Sequence, residues 1–116
     1  MAHHTQADPY PTPYELGNQN QTTRWSDCIT FYERLAADFP GVLHFFQIGL
    51  SDNGLPLHAG VVSSDGARDC VQIKASGRPV FFNNNGIHPG EPEGIDACMA
   101  LVRDFCTQPE RLATLG

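Results

Sequence analysis

Apolar residues along the chain form two helical stripes with strand-like runs between them. Cys28, Phe31, Tyr32, Leu35 and Phe39 recur at i, i+3, i+4, i+7 and i+11, one face of an α-helix. This predicts a helix over residues 26–38, with Ser26 or Thr23 as its cap and Pro40-Gly41 as its stop. Ile95, Cys98, Met99, Val102 and Phe105 share a second such face. The corresponding helix runs from Pro92 or Glu93 to Cys106 and ends at Gln108-Pro109. Pro92 suits the first turn, where a missing N–H costs little. Glu91, Glu93 and Asp96 gather at the positive end of the helix dipole.

The middle of the chain reads as strand. Val42 to Ile48 and Leu57 to Val62 flank Ser51-Asp52-Asn53-Gly54, and Asn-Gly between two β-prone runs signals a hairpin. After the turn at Ser64-Asp65-Gly66, Asp69 to Ile73 reads as a weaker edge strand, broken by Ala75-Ser76-Gly77. Arg78 to Asn83 has the continuous apolar centre Val80-Phe81-Phe82, as expected of a strand buried in a partly parallel sheet. The tail through Leu112 and Leu115 is too short to assign. The order of elements predicts an α/β unit over residues 25–116, a partial mixed sheet with flanking helices. Residues 1–24, with prolines at 9, 11 and 13, read as an extended N-terminal arm. Strands that would cover both faces and edges of such a sheet are not seen in the sequence. Self-association through the uncovered sheet surface is therefore expected.

Composition narrows the partners. A net charge of −6, with the seven Lys and Arg scattered singly, argues against a nucleic-acid ligand. No apolar run approaches the ~20 residues that span a bilayer. Met1-Ala2-His3-His4 does not open a basic-then-apolar export signal. The four cysteines make no CxxC pair. Cys98 and Cys106, eight residues apart on one helix, lie about 12 Å apart, beyond disulfide reach. All four read as small hydrophobes. Asn20-Gln21-Thr22 is a formal glycosylation sequon with no secretory signal beside it, and chance accounts for it.

The chemistry lies where the apolar strand meets the second helix. In open α/β sheets ligands sit beyond the carboxyl ends of strands. His88 and Glu91 flank Pro89-Gly90 there. An imidazole and a carboxylate three residues apart across a tight turn can reach one zinc ion. A catalytic zinc takes three protein ligands, lowers the pKa of a bound water and polarises a carbonyl. No obvious third ligand follows before Gly116, so the sequence shows half of a site. The plainer reading makes Glu91 a helix cap and His88 a loop residue. His44 and His58 read as ordinary strand histidines, His3 and His4 as a tag-like chelator of stray metal, Asp52 and Asp65 as turn residues, and Glu93 as a helix-dipole partner.

The longer string from Asn84 to Ala97, Asn-Asn-Gly-Ile-His-Pro-Gly-Glu-Pro-Glu-Gly-Ile-Asp-Ala, resembles the first zinc-ligand motif of the zinc carboxypeptidase family, the M14 metallopeptidases. Thr12-Pro13-Tyr14-Glu15, Phe31-Tyr32-Glu33-Arg34-Leu35-Ala36 and Ile48 to Leu57 also look like the N-terminal part of that catalytic domain, so the likeness runs from residue 12 to about 107. The resemblance implies that His88 and Glu91 are zinc ligands. It implies a zinc-activated water attacking a peptide bond near a substrate's C-terminus. The family's third ligand, general base and substrate-binding residues lie further along and have no counterpart here, so no catalytic residue is assigned. This chain alone is expected to be inactive. Relatives are often exported, but nothing in these residues directs export. Two other readings stay open: a zinc amidohydrolase of the aspartoacylase or desuccinylase type, and a carboxypeptidase-like binding module without catalysis.

Overall fold

In the computed structural model, which describes residues 8–115, both helical stripes fold as their spacing demands. Seven elements follow in order: α1 (Pro13–Leu16), α2 (Trp25–Asp38), β1 (Leu43–Leu50), β2 (Pro56–Val62), α3 (Cys70–Ala75), α4 (Glu93–Thr107) and α5 (Pro109–Ala113). Leu35 of α2, Leu43 of β1, and Val102 and Cys106 of α4 form the buried centre. Tyr10, Phe31, Tyr32, Phe39, Val62 and Cys98 pack around it. Thr23, just before α2, bonds to Asp96 in the first turn of α4, and Leu35 meets Val102 and Cys106 towards the far ends, so the two helices run in the same direction. Full burial of a side chain such as Leu35 is worth about 1.5–3 kcal/mol.

β1 and β2 pair antiparallel, from Leu43 opposite Val62 to Leu50 opposite Pro56, with a register shift between Gln47 and Gly49. The Ser51–Leu55 connection closes with Gly54 N–H donating to the Ser51 carbonyl at 2.9 Å and Ser51 N–H to that of Leu55 at 2.8 Å. The hairpin is thus where Asn-Gly placed it. Tyr32, Phe45 and His58 stack in succession, at 5.4 and 5.0 Å between ring centres, fixing the hairpin to α2.

Three expectations are corrected. Asp69 to Ile73 is not an edge strand. The Asp69 carboxylate accepts the Gln72 N–H at 2.8 Å, the Gln72 side chain accepts the Arg68 N–H at 2.8 Å, and this local capping starts α3. Arg78 to Asn83 joins no sheet. The sheet is a two-stranded antiparallel one, so the mixed sheet is absent among the described residues. With no neighbour to supply ladder hydrogen bonds, the apolar centre of this run stays in solvent: Phe81 is 91% and Phe82 82% exposed. In the arm, Thr12 and Glu15 form a reciprocal capping box that nucleates α1, where a proline-rich extended chain was expected. Pro109, read as a stop, also begins the short helix α5, which buries Leu112. His3 and His4 lie outside the described residues.

The arm is latched to α4 by ion pairs. Arg103, 6% exposed, bonds through its guanidinium to Glu15, to Asp8 at 3.1 Å and to Asp104 at 3.0 Å. Burial alone would raise the Glu15 pKa, but the Thr12 N–H and the Arg103 guanidinium outweigh it and hold the carboxyl below its ordinary value. Tyr10 adds a second tie, its hydroxyl donating to Asp38 at 2.7 Å beneath the Arg34 guanidinium.

Candidate metal centre

The segment between the exposed apolar run and α4 is held in place from the helix side. Asn83 donates its side-chain amide to Cys98 Sγ at 3.5 Å, a long contact that nonetheless sets the run beside α4. Gly86 has φ +67°, the left-handed conformation that favours glycine, and a Cβ there would lie 2.5 Å from Ile95 Cδ1, so the loop passes close against the first turn of α4. Gly90 has φ +83° and completes the turn after Pro89. That turn folds the chain back between residues 88 and 91.

The two side chains flanking the turn meet. His88 Nδ1 lies 3.2 Å from each carboxylate oxygen of Glu91. Both are open to solvent, at 69% and 54% side-chain exposure. Glu91 is therefore not consumed as a backbone cap, and α4 begins without any side-chain cap on its Pro92 N-cap. Pro92 thus sits one position before the first turn expected of it. Imidazole nitrogen and carboxylate oxygen are the donor types zinc prefers, and they converge on one region of space. The donor chemistry fits zinc. The donor count does not reach the three of a catalytic site: no group of three or more His, Cys, Asp or Glu that could hold a metal ion exists among the described residues.

The other candidates lie elsewhere. His44 stacks on Phe46 within β1, and His58 stacks on Phe45 with its Nδ1 buried and without a partner among the described residues. Asp65 accepts from the Ser63 hydroxyl and the Ala67 N–H and faces Arg78, which lower its pKa in that order; it is a turn residue. Asp52 lies in the hairpin turn. Glu93 opens α4.

Sequence reasoning missed the residue that anchors the helix carrying this loop. Asp96 is 8% exposed and accepts three hydrogen bonds: from the Thr22 hydroxyl at 2.7 Å, the Thr23 hydroxyl at 2.6 Å and the Thr23 N–H at 3.1 Å. Thr23 does not cap α2, which begins after Arg24 without a side-chain cap. More than 70 residues separate these partners, and no local pattern announces the bond. The cysteines are free, and burial pushes the thiols of Cys28 and Cys106 up to about 11, where they are poor nucleophiles. Among the described residues no helix is long and apolar enough to cross a membrane.

Comparison with known proteins agrees with the motif. The family model described as zinc carboxypeptidase matches residues 28–115, from the first turn of α2 to just past the end of α5. No curated protein and no solved structure matches the chain. The match contains α2, the hairpin, the exposed run, the His88–Glu91 turn and α4, and it spans well over half of the sequence: the chain belongs to the zinc carboxypeptidase family.

Proposed function

We propose that this chain carries two arms, His88 and Glu91, of the zinc centre of a metallocarboxypeptidase, and that the complete reaction is hydrolysis of a peptide bond near a substrate's C-terminus. The observation that carries the reading is the approach of the imidazole to both carboxylate oxygens across Pro89-Gly90, on a loop pinned to α4. A bound zinc ion supplies Lewis-acid polarisation of the scissile carbonyl and acidification of water. The residues of this chain hold and orient. Gly86 lets the loop lie against Ile95, Asp96 and the two threonines fix the first turn of α4, and the turn presents both donors on one side. Family membership favours peptide over acyl-amino-acid substrates.

No group among the described residues joins the pair as a third ligand, and the proposal gives the isolated chain little or no peptidase activity. Proton NMR of the histidine rings during zinc addition tests the assignment. With His3→Ser and His4→Ser introduced, the His88 resonances are expected to shift first, with His44 and His58 unmoved. Movement of His44 or His58 with His88 unchanged would remove the basis for the reading.

A further inference from the structure

Two cysteines on different helices stand beside each other at the α2–α4 contact, and the metal reading uses neither. Cys28 lies seven residues before Leu35, about 10.5 Å along α2. Cys98 lies four and eight residues before Val102 and Cys106, about 6 and 12 Å along α4. The helices run in the same direction, and Leu35 packs with Val102 and Cys106. Cys28 and Cys98 therefore stand at the same level, nearer the helix starts. The surroundings of each sulfur agree. Burial first, then the Cys98 sulfur and the Asp96 carboxylate, push the Cys28 thiol up to about 11. Tyr32, one turn beyond Cys28, shares a hydrogen bond with the Cys98 sulfur. Cys98 also packs against the buried centre and accepts from the Asn83 amide at 3.5 Å. Helices at the usual spacing of about 8–10 Å bring facing Cα atoms to roughly 4–6 Å, the span of a disulfide.

We propose that Cys28 and Cys98 are a redox pair that a low-molecular-weight disulfide converts into a bridge, stapling α2 to the helix that carries the metal loop. This goes beyond the metal reading and does not depend on it. The exchange balances with oxidised glutathione as the oxidant. One protein thiolate attacks a glutathione sulfur, forms a mixed disulfide and releases one glutathione thiolate. The second protein thiolate attacks the protein sulfur of that mixed disulfide and displaces the other glutathione. Two protein thiols are oxidised, and one glutathione disulfide is reduced to two thiols. The buried Cys28 thiol makes closure slow near neutrality, because only the thiolate reacts. The other cysteines are poorly placed for this exchange. Cys106 is eight residues beyond Cys98 on the same helix, about 12 Å away. Cys70 is exposed on the separate short helix α3. The bridge joins residues distant in sequence, so it restricts the unfolded chain strongly.

Incubation of the folded chain with oxidised glutathione at about pH 8.5, followed by tryptic mapping without reductant, tests the proposal. The four cysteines fall on four separate tryptic peptides, so the map reads every pairing without a variant. The peptide from Trp25 to Arg34 is expected to be joined to the one ending at Arg103. The thermal midpoint followed by circular dichroism is expected to rise by roughly 10 °C and to return on adding dithiothreitol. Cys28→Ala and Cys98→Ala are each expected to lose both the bridge and the rise. Glutathione adducts on Cys28 or Cys98 without a bridge overturn the proposal. So does a bridge that uses Cys70 or Cys106, or one that forms only when urea unfolds the chain. A bridge that lowers the midpoint also overturns it, because the native packing then holds the two sulfurs apart.

Discussion

The helix pair and the run before the metal loop are equally apolar in sequence and opposite in fate. Leu35 and Met99 are fully buried, while Phe81 is 91% exposed. A helix satisfies its own backbone and needs only one face covered. A strand needs neighbours for its N–H and C=O groups as well as for its side chains. The α2 stripe found cover in α4 and β1, and the α4 stripe in α2. The run at 78–83 found no strand to join. His88 and Glu91 sit between these regions, fixed on the α4 side and open on the other.

Substitutions should separate the two regions sharply. Leu35→Ala leaves a cavity at the centre of the only large buried cluster among the described residues and is expected to cost about 3–4 kcal/mol. For a chain this small that removes most of its stability, so urea melts followed by circular dichroism should lose their cooperative transition. Arg103→Ala should cost about 2 kcal/mol, because it removes the charged hydrogen bonds that tie Glu15 and Asp8 to α4 and frees the arm, while the two part-exposed carboxylates are taken up by water. Asp96→Ala should cost about 2 kcal/mol through three lost hydrogen bonds. Phe82→Ser should leave stability within about 0.5 kcal/mol while raising solubility. A large loss there would show that the run is packed, and the comparison would fail.

Acid should act on the arm first. Glu15 has a folded pKa below its unfolded value, so its contribution is complete above the ordinary glutamate pKa of about 4.3 and is lost as pH falls through the folded value. Tryptophan or tyrosine fluorescence of the arm and α2 should therefore change below about pH 4, and the change should vanish in Glu15→Gln. An unaltered acid limb in that variant would assign the titration to another carboxylate.

Much of this was legible because it is local. The 3.6-residue recurrence at Cys28 to Phe39 and at Ile95 to Val102 locates both helices, and Asn53-Gly54 locates the hairpin. The His88–Glu91 pair was legible for the same reason: three residues and a Pro-Gly turn bring the two side chains together without help from the rest of the chain. What failed was partnership over distance. Cys70 to Ile73 has a strand's composition, but Asp69 and Gln72 cap a helix in the absence of an edge to extend. Val80-Phe81-Phe82 has a buried strand's composition, but pairing depends on a neighbour that the run itself cannot reveal. The bonds from Thr22 and Thr23 to Asp96 have no signature in either segment.

Calorimetric zinc titration of the chain tests the central claim most directly, with His3→Ser and His4→Ser introduced so that only the loop pair is read. The account predicts weak binding, with a dissociation constant on the order of 10–100 µM for two protein donors, abolished by either His88→Ala or Glu91→Ala. Tight one-to-one binding would contradict the incompleteness of the site. Binding that survives both substitutions would contradict the site itself.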